Sequence, residues 1–93
     1  MLFAVICIDK KDAAALRAAT RPRHLEFLEN FRSRITIAGP ILSQDGAMPQ
    51  GSLLILDLAD YAEAASFARD DPYMKAGLFT SVIVAPFKKV FPA

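Results

Sequence analysis

The stretch Arg69-Asp70-Asp71-Pro72-Tyr73-Met74-Lys75-Ala76-Gly77-Leu78-Phe79 separates an alanine-rich helical segment from the last apolar strand of the chain. Pro72 ends the helix, because proline lacks a backbone N–H and restricts the residue that precedes it. The connection contains an acid, a phenol, an amine and two aromatic rings, whereas most connecting turns are short and polar. We therefore expect functional side chains in this loop, held in place by a rigid scaffold.

Upstream of this loop, the spacing of apolar residues predicts strands at residues 2–8, 35–42 and 51–58, and a last strand at 81–91 broken by Pro86. The first strand is apolar at every position, which is typical of a strand buried on both faces. Gly39-Pro40 near the end of the second strand indicates a bulge or a sheet edge, because proline cannot donate to a ladder.

Two helical regions lie between the strands. Residues 13–19 can form a short helix, and Thr20 and Pro22 fit the N-cap and first turn of another. An apolar stripe follows at helical spacing: His24, Phe27, Leu28 and Phe31. This stripe places His24 on the core side of a helix, close to its N-terminus.

The last helix opens with Asp60 and Glu63, which resemble a capping box. The element order is then β-α-β-β-α-β, the pattern of the ferredoxin-like split βαβ fold. We expect an α+β protein with an antiparallel four-stranded sheet and helices on one face. The doubly apolar strands indicate that the other face is covered by the sheet of a second subunit, as in a dimeric α/β barrel.

The topology of this fold has a consequence for the position of the polar residues. The start of the first helix, the end of the second strand and the end of the last helix lie at one edge of the sheet. This edge collects four side chains that are far apart in the sequence: His24, Ser43, Asp71 and Tyr73.

The composition supports a small oligomeric protein. A chain of 93 residues forms one domain, residues 1–93, and buries about 60–65% of its unfolded surface. With 54% hydrophobic residues and a mean hydropathy of +0.30, apolar surface remains after one small core is filled. Such surface is typically buried against another copy, so we expect a homodimer.

The charges and the rare residues exclude several classes of function. The net charge is +1 without a basic run, which does not favour nucleic acid as a partner. The longest apolar run is too short to span a bilayer and lacks the features of a signal peptide, so we expect a cytoplasmic protein without a membrane partner. One histidine and one cysteine do not predict a metal site or an intrachain disulfide, and no glycine-rich phosphate loop predicts a nucleotide cofactor.

Each candidate site residue also has a structural interpretation. A single histidine on an apolar helical face is commonly a hydrogen-bonded core residue, and Asp71 before Pro72 is a common turn former. Tyr73 and Phe79 fit the core or an interface as well as a substrate pocket. Two further residues have simple structural interpretations: Ser43 as a turn residue and Cys7 as a small core residue.

Several segments together resemble the YCII-related domain family. They are the strand 2–6, Arg21-Pro22-x-His24-x-x-Phe27-Leu28, Ala38-Gly39-Pro40-Ile41-Leu42, residues 51–55, Asp71-Pro72-Tyr73-x-Lys75-Ala76-Gly77-Leu78-Phe79 and Phe87-Lys88-Lys89-Val90-Phe91. The resemblance covers nearly the whole chain in the same order. It implies a ferredoxin-like domain that dimerises through its sheets and a histidine–aspartate active-site pair, here His24 and Asp71. It also implies a family that includes a dehydrochlorinase of a chlorinated hydroxyquinol.

Three functional hypotheses follow. The first is a cofactor-independent acid–base enzyme acting on a small, aromatic or quinol-like molecule. In this enzyme His24 is the base, Asp71 orients it, Ser43 and Tyr73 contact substrate oxygens, and Phe79 forms a stacking wall. The second is a non-catalytic module that binds a small molecule or a partner in the same cleft, or is an accessory to another enzyme. The third is a structural His24–Asp71 hydrogen bond without a ligand.

Overall fold

Four strands form one antiparallel sheet in the computed structural model of the protein, which describes all 93 residues. The elements are β1 (Leu2–Asp9), α1 (Ala14–Glu29), a 3-10 turn (Arg32–Arg34), β2 (Ile35–Leu42), β3 (Pro49–Asp57), α2 (Tyr61–Asp70), α3 (Pro72–Lys75) and β4 (Phe79–Phe87). The order across the sheet is β2-β3-β1-β4. This arrangement confirms the predicted ferredoxin-like α+β fold.

Two of the three prolines within strands lie on the outer strands of the sheet. Pro40 is in β2 and Pro86 is in β4, where a missing N–H can point away from the ladder, and the third, Pro49, is the first residue of β3. Strand β4 runs through Pro86, which pairs with Phe3 of β1, and ends at Phe87, so the predicted break comes one residue early and the predicted strand from there to residue 91 is wrong. An edge strand needs hydrogen bonds on one side only, so a proline can be accommodated without interrupting the strand.

The hydrophobic core lies between one face of the sheet and the helices. Its buried residues are Phe3, Val5, Cys7, Leu54, Leu56, Leu58, Ala64, Phe67 and Ala68. Alternate residues of β1 contribute to it, as the two-residue period of a strand requires. Three aromatic rings connect the helices over this core: Phe27, Phe31 and Phe67 have centroids 4.8–5.2 Å apart.

A single helix replaces the two short helices predicted between residues 13 and 31. Helix α1 is continuous over 16 residues, with Pro22 in its interior. Thr20 does not cap a helix, and its hydroxyl donates to the Leu16 carbonyl at 2.8 Å. Pro22 removes only one helical hydrogen bond, while the continuous helix buries Arg17, Thr20 and His24 together on its inner side.

This correction changes the position of His24 within its helix. His24 lies ten residues after the first residue of α1, about 15 Å along the axis at 1.5 Å per residue. The positive end of the helix dipole acts mainly within the first turn. The predicted position of His24 close to a helix N-terminus is therefore wrong.

Helix α2 begins at the predicted cap and is followed by one additional short helix. The Asp60 side chain accepts a hydrogen bond from the Glu63 N–H at 2.8 Å, which confirms the cap of α2. Glu63 completes no capping box, because its carboxylate pairs with Arg34. Helix α2 ends at Asp70, and Pro72 starts the short helix α3, which the sequence did not predict. No helix has the length and apolar character that crossing a bilayer requires.

The face of the sheet opposite the helices is apolar and uncovered in the single chain. Its large exposed side chains, with their exposed fractions, are Ile37 (60%), Ile83 (54%), Phe87 (44%), Leu53 (40%) and Ile8 (40%). They come from all four strands, so the patch crosses the whole sheet. A contiguous apolar patch of this kind marks an interaction surface.

One glycine is required by a close approach between strands. A Cβ added to Gly51 in β3 would lie 2.3 Å from the Cys7 carbonyl oxygen of β1. That contact is with backbone, so the two strands would have to separate. We predict that Gly51→Ala lowers the free energy of unfolding by about 1–3 kcal/mol, measured by urea denaturation.

Gly39→Ala is the matched control, because a Cβ at Gly39 in β2 meets no atom within 4 Å. Its free energy of unfolding should stay close to that of the wild type. Equal effects of the two substitutions would show that strand spacing at Gly51 is not the constraint.

Candidate active site

His24 and Asp71 form a buried pair, as predicted. The imidazole Nδ1 lies 2.8 Å from Asp71 Oδ1, and the residues are only 8% and 3% exposed. His24 comes from α1, and Asp71 from the junction between α2 and α3. Two residues 47 positions apart in the sequence are thus joined by one hydrogen bond.

Asp71 also caps a helix, which confirms its interpretation as a turn former. Its Oδ1 accepts a hydrogen bond from the Tyr73 N–H at 2.9 Å, at the first turn of α3. Pro72 at the first position of α3 fixes the backbone there. The carboxylate is therefore positioned by its own backbone before it contacts His24.

This geometry determines which imidazole nitrogen carries the proton. Asp71 Oδ1 accepts from a backbone N–H and from the ring at the same time, so Nδ1 is the donor. The other nitrogen, Nε2, is then free to accept. Every polar side-chain atom that is fully shielded from solvent has a hydrogen-bond partner. His24 Nε2 has no partner within the protein, so it is accessible to solvent.

His24 lines a cavity of about 380 Å³ between α1 and strands β2 and β3. Its polar side chains are Arg17, Arg21, His24, Ser52 and Tyr73. The rest of its wall consists of apolar residues and glycine, and no carboxylate lines it. A volume near 300–1,000 Å³ with mostly apolar walls and a few polar groups is typical of small-molecule sites.

Tyr73 forms part of the wall and stacks on the imidazole of His24. The ring centroids are 4.0 Å apart and the planes are inclined by 20°. Burial raises the pKa of the Tyr73 phenol, and the positive charges of Arg17 and Arg21 only partly oppose this shift. The phenol is therefore protonated at neutral pH and can donate a hydrogen bond into the cavity.

A buried ionic network, which the sequence analysis missed, supports the same wall. Arg17 donates from Nη1 to both carboxylate oxygens of Asp9 at 2.9 Å and from Nη2 to Ser52 Oγ at 2.7 Å. Its guanidinium carbon also lies 4.7 Å from the centroid of the Tyr73 ring. Arg17 thus ties α1 to the ends of β1 and β3 and holds Tyr73 beside His24.

The sequence contained a signal for the polar residues on the inner side of α1. Arg17, Arg21 and His24 follow one another at spacings of four and three, which places them on one side of a continuous helix. The division of α1 at Thr20 and Pro22 concealed this stripe.

Two predicted substrate-binding residues do not line the cavity. The Ser43 hydroxyl donates to Asp45 at 2.6 Å and accepts from the Met48 N–H at 3.0 Å, so it stabilises the β2–β3 hairpin. Phe79 packs edge-on against Tyr73 with a centroid distance of 6.1 Å, behind the cavity wall. The cavity wall instead contains the polar side chains of Ser52, Arg17 and Arg21.

Cys7 is a core residue, as predicted. Burial, together with the charges of Asp71 and Asp9, raises the pKa of its thiol to about 12. A thiol that stays protonated is a poor nucleophile. The structure also has no group of three or more histidine, cysteine, aspartate or glutamate side chains that could hold a metal ion.

Comparisons with known proteins identify relatives that match nearly the whole chain. The YCII-related domain matches residues 1–88 of the chain. Protein YciI of Escherichia coli O6:H1 is 36% identical over 98 residues, covering 98% of this chain and 100% of that protein. An uncharacterized protein of Haemophilus influenzae is 34% identical over the same coverage.

A solved structure is similar in three dimensions. It is the 5-chloro-2-hydroxyhydroquinone dehydrochlorinase TftG from Burkholderia phenoliruptrix AC1100, in complex with 2,5-dihydroxybenzoquinone. The two proteins are 34% identical, with a TM-score of 0.87, and the match covers 95% of this chain and 94% of TftG. The family match along most of the chain and these relatives show that the protein belongs to the YCII-related domain family.

Proposed function

We propose that the protein is a small single-domain cytoplasmic enzyme that performs cofactor-independent acid–base chemistry on a hydroxylated aromatic or quinol-like molecule. The observation that supports this proposal most strongly is the buried His24–Asp71 hydrogen bond at a cavity, with the second imidazole nitrogen free. A neutral imidazole held by a carboxylate is a positioned general base. The enzyme TftG, which shares the fold at 34% identity, supports the choice of substrate class.

The proposed reaction is the loss of HCl from a chlorinated hydroxyhydroquinone. His24 Nε2 takes a hydroxyl proton and returns it to the ring carbon that carries chlorine, where a C–H bond forms. The C–Cl bond then breaks, chloride leaves with its electron pair, and a second hydroxyl proton is released to solvent. The product is a hydroxyquinone, and no external oxidant is needed because chloride carries the two electrons away.

The cavity suits such a substrate in shape and chemistry. Its apolar walls accept an aromatic ring, and its volume of about 380 Å³ exceeds that of one substituted benzene ring. Tyr73, a protonated phenol, and Ser52 supply hydrogen bonds to ring oxygens. Asp71 stabilises the imidazolium that forms when His24 takes a proton.

The first prediction concerns turnover. The wild type should release chloride from 5-chloro-2-hydroxyhydroquinone, and His24→Gln should lower the rate about 10²–10⁴-fold, because a positioned base contributes that much. Chloride release is followed with an ion-selective electrode, and circular dichroism verifies that the variant is folded.

Two results would contradict the proposed enzymatic function, and each would favour one of the two alternatives. Binding of quinones without turnover, unchanged in His24→Gln, would indicate a binding module. A loss of stability in His24→Gln without any effect on ligand would indicate a structural hydrogen bond.

The second prediction concerns the tautomer of the imidazole. Proton-coupled ¹⁵N NMR should show one tautomer in the free protein, with the proton on Nδ1, because Asp71 Oδ1 accepts from it. The chain contains one histidine, so its signals need no assignment. Asp71→Ala should release this preference, whereas Asp71→Asn should keep it, because the amide oxygen can accept the same bond. A proton on Nε2 in the wild type would contradict the proposal, because Nε2 could then not accept a proton from a ligand.

We also propose that two copies associate through the uncovered sheet face. The patch crosses all four strands and is apolar, and residues of β1 such as Leu2 and Ile6 remain half-buried beneath it. Water against such a patch is unfavourable by about 25 cal/mol per Å². A second sheet of the same shape covers it with two-fold symmetry.

The third prediction tests this association. The wild type should have twice the 10.2 kDa mass of the chain in analytical ultracentrifugation. Ile83→Lys places a charge in the patch and should yield monomers. Leu16→Lys, at a leucine of α1 with 39% exposure, is the control and should remain dimeric. A monomeric wild type would exclude the sheet-to-sheet dimer.

A further inference from the structure

We propose that the ligand site extends past Met48 into a second cavity, and that Met48 determines which substituents a bound ring can carry. The second cavity has a volume of about 370 Å³ and lies at the turn between β1 and α1. The inference rests on the proposed function, because it extends the cavity that contains His24. It specifies the substrate class as a hydroxylated ring with a short, uncharged polar side chain.

The two cavities share one border, which is formed by Ala14, Met48 and Pro49. Ala14 is the first residue of α1, and Pro49 is the first residue of β3. Neither of these two has a side chain that can rotate aside. Met48 is half-exposed and has three rotatable side-chain bonds, so it is the border residue that can open or close a passage between the cavities.

Ser43, which does not line the cavity beside His24, fixes the backbone of Met48. The Ser43 N–H donates to the Met48 carbonyl at 2.7 Å, and the Met48 N–H donates to Ser43 Oγ at 3.0 Å. Asp45 in turn accepts from the Ser43 hydroxyl at 2.6 Å. The hairpin therefore holds the backbone of Met48 in place between the cavities, while the half-exposed side chain can change its rotamer.

The two cavities differ in polarity, and this difference defines the chemistry of the ligand. The first cavity has mostly apolar walls, which suit an aromatic ring. Half of the residues that line the second cavity are charged or carry an amide: Asp9, Lys10, Lys11, Asp12 and Gln50. A chain that ends in a hydroxyl group can donate to or accept from such side chains, whereas an alkyl chain of the same length can do neither.

The test compares three ligands that share one ring. They are 2,5-dihydroxybenzoquinone and its derivatives with a pentyl or a hydroxybutyl group on one free ring carbon, two chains of equal length. Isothermal titration calorimetry measures each ligand with the wild type, Met48→Ala, Met48→Phe and Ala13→Leu. Met74→Ala is the matched control, because Met74 in α3 is 42% exposed, against 49% for Met48, and lines neither cavity.

The wild type should bind the hydroxybutyl derivative about 2–10-fold more tightly than the pentyl derivative, as expected for one net hydrogen bond in the second cavity. Met48→Ala should raise the affinity for the hydroxybutyl derivative relative to the unsubstituted quinone about 2–10-fold, because no flexible side chain then has to be fixed beside the passage. Met48→Phe should lower this ratio about 5–100-fold, because a larger and stiffer side chain obstructs the chain of the ligand. Met74→Ala should keep the ratio of the wild type.

Ala13→Leu tests whether the chain of the ligand occupies the second cavity. Ala13 lines the second cavity and not the first, so the larger side chain fills space in the second cavity alone. This variant should bind the hydroxybutyl derivative about 5–100-fold more weakly than the wild type does. Its affinity for the unsubstituted quinone should be that of the wild type.

A change of equal size for all three quinones in the Met48 variants would overturn the proposal, and so would a wild-type ratio in Ala13→Leu. A wild type that binds only the unsubstituted quinone, or none of the three, would also overturn it, because the site then ends at Met48 or does not exist. Failure of the proposed function gives a different result. Binding that depends on Met48, without chloride release, refutes the enzyme and keeps the extended site, whereas chloride release with binding that ignores Met48 does the reverse.

Discussion

One carboxylate oxygen, Asp71 Oδ1, connects the helices of the fold to the candidate site. Asp71 Oδ1 accepts from the Tyr73 N–H, which starts α3, and from the imidazole of His24, which lies on α1. The first bond is local and is dictated by the Asp-Pro sequence, while the second is made across 47 residues. Because the two share an atom, the turn that ends α2 also sets the orientation of the His24 imidazole. Removing the carboxylate therefore affects a helix cap and a tertiary contact together.

Much of this arrangement follows from the sequence. The spacing of apolar residues predicts the strand order along the chain, and the ferredoxin-like topology then places the end of α2 near α1. That topology brought His24 and Asp71 together before any side-chain position was known. Topology gives the edge of a sheet and not the direction of a side chain, so it did not predict which residues of that edge line the cavity. Ser43 lies at the expected edge, but the hydrogen bonds of its own turn hold its hydroxyl in the hairpin.

The errors in the region of α1 have one cause, the weight given to Pro22. A proline inside a helix removes one hydrogen bond and is normally unfavourable by about 3 kcal/mol. In α1 the contacts of Arg17, Thr20 and His24 on the inner side of the helix outweigh that cost. Local propensity could not reveal this, because Asp9 and Ser52, the partners of Arg17, belong to strands that pair only in the folded sheet. Arg17 was therefore not identified from the sequence, because tertiary packing overrides the local helix-breaking tendency of proline.

The cavity joins two walls of different kinds. Helix α1 and the α2–α3 junction supply the His24–Asp71 pair, and the Arg17–Asp9 pair ties this wall to the sheet. The opposite wall is formed by Ala38, Gly39 and Pro40 of the edge strand β2 and by Met48 and Pro49 at the end of the hairpin. These positions are small or apolar, and none takes part in the hydrogen bonds of the ionic network. Substitutions on the edge strand can therefore change the shape of the cavity while the hydrogen bonds of the helical wall stay intact, so the volume of the cavity and the polar network beside it can vary independently of each other.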